Sequence, residues 1–453
     1  MSRSLPLAAL LFAGCCAAPA RHDPGGPRDT GTPTDTGHQD SGRDDTGDTA
    51  TEDLPFPARY PVDRLQSPVT PWVRDRLTAL IAGGDGLHPD VFMKVGDSIT
   101  ADPNALGCFA GARVDLGDRP ELQATVEHFL TGEAGGSTPW DRDSRAAEVG
   151  ETAAWALDGD PSPVERELSA LSPAFAVVQY GTNDMQMGTT YLSAIWSFGE
   201  AMLDLVDLLL ERGVVPVLVT IPPRLDIAQA DAWVPTYSAV VRGIAQGRQV
   251  PLVDLERGLR ALDGYGLYGD GVHLEPSSQG ACVLTAAGLA CGCNTRNLLV
   301  LDGLDRVRRA ALEGEVLDEA GERLLGGGTA EDPFVVDALP FTDVRDTREE
   351  GTRGMDRYPD CGSDADESGP EVIYRLDLAR RTTVRLLVFD RGDVDIDLHV
   401  LGATVDQSTC VDRDDSDLEL TLEAGTWHVV LDTYVASAEE RAGEYLLVMV
   451  EAG

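Results

Sequence analysis

Four short apolar runs stand out in the first two thirds of the chain: Val91–Val95, Ala174–Tyr180, Val214–Thr220 and Val250–Leu255. Glycines such as Gly96, Gly181 and Gly213 punctuate them. Apolar at successive positions and too short for helices, they predict strands buried on both faces. Between them the apolar spacing changes to helical over Thr152–Leu157, Pro163–Leu171, Tyr191–Arg212 and Tyr237–Gln246. Asn297–Leu312 is apolar at 298, 299, 301, 304, 307, 311 and 312, which predicts an amphipathic closing helix. Strand–helix alternation over 55–325 predicts an open α/β parallel sheet with helices on both faces. Sites in such sheets form beyond the carboxyl ends of the strands. Residues 101–149 are a long excursion between the first strand and Gly150, placed to shape a substrate cleft.

The pattern changes after Gly326-Gly327-Gly328. Period-two alternation appears at Val372–Leu378, Thr383–Phe389, Ile396–Leu401, Leu418–Leu422, Trp427–Asp432 and Tyr445–Val450. Turn residues separate these runs, so 331–453 is expected to form an all-β sandwich. The glycine triplet reads as a flexible seam, and no candidate catalytic group lies after it. The β-unit is therefore expected to be dispensable for chemistry. At the other end, 17–54 repeats Asp-Thr-Gly and has almost nothing apolar to bury, so it is expected to be a disordered spacer.

The net charge of −41 argues against nucleic acid as a partner, because phosphates would be repelled. No apolar run reaches the roughly 18–20 residues of a membrane helix. Residues 1–16 read as a targeting segment: Arg3, the apolar run Leu5–Phe12, then Ala13-Gly14-Cys15. The small residues before Cys15 resemble a bacterial lipobox, with Phe12 where leucine is usual. That implies acylation at Cys15 and a membrane-anchored protein facing the periplasm or cell surface. The competing reading is a secretory signal cleaved near Ala17–Ala20, exported all the same. Export permits disulfides. Cys361 and Cys410, alone in the β-unit, are the obvious pair. Cys108, Cys282, Cys291 and Cys293 offer two further bridges of unreadable connectivity. Cys291-Gly292-Cys293 has the wrong spacing for a zinc knuckle.

The candidate chemistry sits at the strand ends. Gly96-Asp97-Ser98-Ile99 follows the first strand and presents a serine in a glycine turn. The competing reading is a serine capping the next helix. Gly181-Thr182-Asn183-Asp184 follows the second strand, and Asp270-Gly271-Val272-His273 comes near the end of the α/β region. Ester hydrolysis by a hydroxyl needs an activated nucleophile, a base with an orienting acid, and donors for an oxyanion. Ser98, His273 and Asp270 are the candidates for the first three. The Ser98 and Gly150 backbone N–H groups and the Asn183 side-chain amide are the candidate donors. Gly135 and Gly136 compete with Gly150. Asp184 is read as a loop anchor.

These blocks, in this order, resemble the SGNH (GDSL-type) serine esterase family over roughly residues 55–315. The resemblance implies a three-layer, flavodoxin-like parallel sheet and an acyl-enzyme mechanism with no cofactor. It also implies the roles just given, the Asp-x-x-His arrangement included. Gly369-Pro370-Glu371-Val372-Ile373-Tyr374, Asp395-Ile396-Asp397-Leu398 and Ala424-Gly425-Thr426-Trp427 resemble a pre-peptidase C-terminal type of domain, which implies an accessory module. Asp393, Asp395 and Asp397 are candidate oxygens for Ca²⁺, against the plainer reading of a solvated strand face.

The functional expectation is an exported serine esterase acting on carboxylic, acyl or acetyl, esters. The substrate is a small molecule, a polysaccharide ester or a lipid ester. The rival is a non-catalytic, polymer-binding surface lipoprotein with a degenerate hydrolase domain. The intact Ser98, Asn183, Asp270 and His273 argue against degeneration.

Overall fold

The computed structural model describes residues 57–318 and 321–452. Cys15 and the low-complexity segment lie outside the described residues. The α/β unit is built from four parallel strands, β1 (His88–Gly96), β2 (Pro173–Gln179), β3 (Val215–Val219) and β4 (Leu252–Val253), adjacent in that order. Nearly every residue of β1 from Val91 on, and all of β2, β3 and β4, is buried, as the uninterrupted apolar runs require. The last run is mostly not strand. After β4 the carboxylate of Asp254 caps a helix instead, accepting from the Arg257 N–H.

The helices are α1 (Pro71–Gly83), α2 (Ser98–Ala101), α3 (Gln123–Leu130), α4 (Ala153–Leu157), α5 (Pro163–Leu171), α6 (Tyr191–Glu211), α7 (Ala228–Arg248), α8 (Leu255–Arg260) and α9 (Gly292–Glu313). The helix expected at Tyr237–Gln246 runs from Ala228, through Pro235. The sequence pattern did not single out α1.

One parallel bridge, Gly96 to Ala147, lies off the named strands. Gly96 N–H donates to the Ala146 carbonyl (3.0 Å), and Glu148 N–H donates to the Gly96 carbonyl (3.1 Å). Counted as a rudimentary second strand beside β1, this segment gives the flavodoxin-like order 2-1-3-4-5. The chain thus leaves β1 first to one side and later to the other. The carboxyl end of β1 is the topological switch point, the expected place for a site.

The 101–149 excursion is no loose flap. Trp140, fully buried, packs against Phe92 of β1 and against Phe109 and Phe129, with ring centroids 4.9–5.8 Å apart. A Cys108–Cys282 disulfide fastens it to the segment after His273. Cys291 and Cys293 are buried and outside this bridge.

The all-β unit has two facing sheets. One has the order β10 (Cys410–Asp414), β9 (Ile396–Leu401), β12 (Gly425–Thr433), β7 (Val372–Leu378), β5 (Phe334–Val336). The other runs β11 (Asp417–Leu422), β8 (Thr382–Asp390), β15 (Glu444–Glu451), β6 (Phe341–Asp346). A short ribbon, β13 (Val435–Ala436) with β14 (Glu439–Glu440), stands apart. Alternation sorts the side chains. Val384, Leu386 and Val388 of β8, with Tyr445, Leu447 and Met449 of β15, face the sandwich core. Leu387, Phe389, Leu446, Val448 and Val450 face outward and join the core of the α/β unit. Its strands β8 and β15 are therefore buried on both faces, against α6 and α7. Gly243 and Gly247 of α7 make room: a Cβ there would come within 2.5 Å of Leu446 and 2.4 Å of Val344.

Gly326–Gly328 is not a slack seam. Gly326 and Gly328 have positive φ, and a Cβ on either would strike Pro333 or Phe334 at 2.1–2.5 Å. Cys361 and Cys410 are bonded.

Candidate active site

Ser98 is the first residue of α2, directly after β1. Asp97 caps that helix, its carboxylate accepting the Ile99 N–H at 2.9 Å. Gly96 is required there, because a Cβ would come within 2.3 Å of Thr100 Oγ1 and 2.6 Å of the Gln179 carbonyl. The tight exit turns the Ser98 hydroxyl away from the sheet, half-buried, at the switch point. The capping role read as the alternative for Ser98 belongs to Asp97.

His273 reaches this hydroxyl from the far end of the unit: Nε2 lies 2.9 Å from Ser98 Oγ. Its Nδ1 lies 2.8 Å from Asp270 Oδ2. Asp270 Oδ1 also accepts the Val272 and His273 backbone N–H groups, each at 3.0 Å. The Asp-x-x-His spacing thus makes a closed turn in which one carboxylate fixes both backbone and ring. Partial burial works against the Asp270 charge, but these hydrogen bonds prevail and hold the carboxyl below its usual range.

Asn183 follows β2, and its Nδ2 donates to the Glu151 carbonyl at 2.9 Å. That contact brings the amide beside the backbone just past Gly150, whose φ of 86° is left-handed. Asp184 is a loop anchor: Oδ1 accepts the Ala153 N–H and Oδ2 the Gly181 N–H, each at 2.9 Å. One buried carboxylate so joins the turns carrying Gly150 and Asn183. Burial pushes its pKa up to about 6. The structure therefore brings Ser98, Asp270 and His273 into one relay, and links Asn183 to the Gly150 segment. Gly135 and Gly136 belong to the excursion, in the turn closed by Ala134 N–H on the Ser137 carbonyl.

Two buried arginines that the sequence reading passed over support these turns. Arg224 donates to the Thr182 carbonyl (3.2 Å) and forks onto Asp226 at 2.8 and 2.6 Å. Leu225 N–H then donates to the Gly271 carbonyl (2.9 Å), which ties the Asn183 turn to the Asp270–His273 turn. Arg296 of α9 donates from Nε to Gln179 Oε1 (2.8 Å) and from Nη2 to Thr100 Oγ1 (3.4 Å), under the Ser98 turn. The signal for Arg224 was its place after Pro222-Pro223 at a strand end, with Asp226 two residues on. Arg296 had none, since it lies on a helix distant in sequence.

The three aspartates considered for calcium do not share one setting. β9 begins at Ile396, so Asp393 and Asp395 precede it. Asp393 is fully exposed, whereas Asp397 is buried against Arg413 at 2.7 Å.

Residues 95–281 match the model of the GDSL-like Lipase/Acylhydrolase family, a span that holds Ser98, Gly150, Asn183, Asp270 and His273. No curated protein matches the sequence. Among solved structures, the chain is similar to a GDSL-like lipase from Bacteroides thetaiotaomicron: 15% identity, TM-score 0.33, covering 51% of this chain and 97% of that one. It is also similar to an acetylxylan esterase from Geobacillus stearothermophilus: 17% identity, TM-score 0.32, covering 49% of this chain and 95% of that one. The α/β unit has the fold of the SGNH hydrolases, with a separate all-β unit after it.

Proposed function

We propose that this domain is a serine esterase that cleaves carboxylic esters through an acyl-enzyme. The observation that carries the reading is the unbroken relay from Ser98 Oγ to His273 Nε2 (2.9 Å) and from His273 Nδ1 to Asp270 Oδ2 (2.8 Å). Asp270 holds the Nδ1–H tautomer, leaving Nε2 with a lone pair toward the serine. His273 takes the Ser98 proton as Oγ bonds to the ester carbonyl carbon. The carbonyl π pair moves onto oxygen, where the Ser98 and Gly150 N–H groups and the Asn183 amide stabilise the charge. Collapse breaks the C–O bond to the alcohol, which receives the proton from His273. Water, deprotonated by His273, then repeats the attack and releases the acid, restoring Ser98. The Ser98 proton leaves with the alcohol, and a proton from the attacking water, passed through His273, replaces it.

Export is part of the same proposal. The targeting segment, the lipobox-like Cys15 and two disulfides are consistent with an oxidising compartment and a lipid anchor. The test is a panel of chromogenic acyl esters of increasing chain length beside acetylated polysaccharides, with intact-mass detection of acylated Ser98. Turnover with an acyl adduct on Ser98 is expected. Failure on every ester, with no adduct from a reactive fluorophosphonate, would overturn the reading.

A further inference from the structure

The outer face of the first β-sheet carries side chains that the esterase reading leaves unused. In β9, Ile396, Leu398 and Val400 face the sandwich core, so Asp397, His399 and Leu401 face outward. In β12, Val429 and Leu431 face the core, and Val430 and Asp432 face outward. The register pairs Val430 with His399 and Asp432 with Asp397. His399 and Asp432 are thus diagonal neighbours on one face. The segment 352–371 crosses that face as a strap. Its ends pair with each other through Thr352 and Glu371, and the Cys361–Cys410 disulfide pins its middle to β10. It brings Tyr358, Glu367 and Glu371 down onto the sheet.

Beneath it, Glu367, His399 and Asp432 are each completely shielded from solvent. One ligand atom from each lies within 4.8 Å of the others. Glu367 Oε2 is in close contact with His399 Nε2. Two further observations point to something that belongs between them. Glu367 Oε1 and Glu371 Oε2 are buried carboxylate oxygens with no hydrogen-bond partner among the described residues, and the ring nitrogen His399 Nδ1 has none either. Carboxyl groups also crowd together here. Glu367, Glu371, Asp397 and Asp432 are all under 4% exposed. Among the described residues, Arg413 is the cation paired with this set, 2.7 Å from Asp397 and 3.5 Å from Glu367 Oε1. Buried charges of one sign without compensation are costly.

We propose that Glu367, His399 and Asp432 bind a divalent transition-metal ion of the zinc class, which clamps the 352–371 strap onto the β-sheet. Zinc takes imidazole and carboxylate together, with ligands at about 2.0–2.2 Å and therefore some 3.4 Å apart. The Glu367–His399 contact opens to admit the ion, and Asp432 closes on it. The fourth position is open to water. Calcium prefers six to eight oxygens and gains nothing from an imidazole. One outer partner is in place. The Tyr358 hydroxyl donates to Asp432 Oδ2 at 2.7 Å, and its ring stacks on His399 at 3.6 Å. Such contacts fix ligand orientation. The disulfide and the metal would hold the strap at two points.

The test uses the purified chain, stripped with chelator and titrated with Zn²⁺, Co²⁺ and Ca²⁺ in turn. Expected are one Zn²⁺ per chain by elemental analysis, a tetrahedral Co²⁺ absorption band, and a melting temperature about 5 °C higher with Zn²⁺ in excess. His399→Gln and Glu367→Gln should each weaken binding at least about 100-fold and leave ester turnover unchanged. Should either variant fold poorly, stoichiometry and the cobalt band of the wild-type chain still decide. Uptake of neither Zn²⁺ nor Co²⁺ overturns the proposal, as does uptake of Ca²⁺ alone. A cobalt band that persists in His399→Gln and blocks ester turnover would place the metal on His273 and overturn it equally.

Discussion

Asn183 donates its side-chain amide to the Glu151 carbonyl at 2.9 Å, so the turn after β2 and the turn through Gly150 are held as one piece. An amide parked on a backbone carbonyl in the resting site is available to a developing oxyanion beside it. Asn183→Ala should lower kcat by about 10²–10³ with little change in KM, the behaviour of a donor used mainly in the transition state. Steady-state kinetics on one soluble ester are sufficient. A change confined to KM would make Asn183 a ground-state contact instead.

Ser98 and His273 meet at 2.9 Å and are expected to act as a unit. Ser98→Ala and His273→Ala should each reduce kcat by several orders of magnitude, and the double variant should be no slower than either. Asp270→Asn should cost less than either, because the His273 and Val272 N–H groups still have an oxygen to hold the turn. Additive losses in the double variant would show that the serine and histidine do not work together.

Asp97 gives the site a pH signature in stability. It is 1% exposed under the Ser98 turn, and burial pushes its pKa from 3.8 up to about 7. The Ile99 N–H, Arg296 and His273 favour its charge, whereas Asp184 disfavours it. The folded state thus keeps a proton that the unfolded chain releases near pH 4. Stability from this group is complete below about pH 4 and is lost as the pH rises through about 7. Asp97→Asn keeps an oxygen for Ile99 without the charge. Its melting temperature relative to wild type should therefore climb by several degrees between pH 5 and pH 8. A constant difference across that range would mean that Asp97 is ionised throughout.

Much of this site was legible in the sequence because its chemistry is local. Gly96-Asp97-Ser98, Gly181-Thr182-Asn183-Asp184 and Asp270-x-x-His273 are turns whose hydrogen bonds close within three residues. The strands β1, β2 and β3 announced themselves as apolar runs. What stayed hidden depends on partners far away in the chain. β6 reads Phe341-Thr342-Asp343-Val344-Arg345-Asp346, too polar to mark as a strand, and exists by pairing with β15. Nothing local marks His399; only the register sets it beside Asp432, under Glu367. The outward residues of β8 and β15 read as ordinary strand apolarity. Nothing local says that the second face of their sheet has a helical partner.

That partner bears on whether the β-unit can be removed. The glycine triplet, with no candidate catalytic group after it, led to the expectation that residues 331–453 are dispensable for chemistry. In the fold, Leu387, Phe389, Leu446, Val448 and Val450 share a core with the α/β unit. Arg385 donates to Thr236 Oγ1 at 2.7 Å and stacks 3.5 Å over the Trp233 ring. Arg248 of α7 reaches Glu444 at 2.8 Å. At roughly 1.5–3 kcal/mol for each large apolar side chain withdrawn from water, losing this contact costs on the order of 10 kcal/mol. A whole domain commonly has about 5–15 kcal/mol in total. A fragment of residues 57–325 is therefore expected to aggregate, or to melt more than about 10 °C below the full chain, and to lose activity by unfolding although every candidate catalytic group remains. Calorimetry and light scattering on the fragment measure this directly. A soluble monomer with the melting temperature of the parent would show that α6 and α7 do not depend on the β-sheet, and that the shared core contributes little.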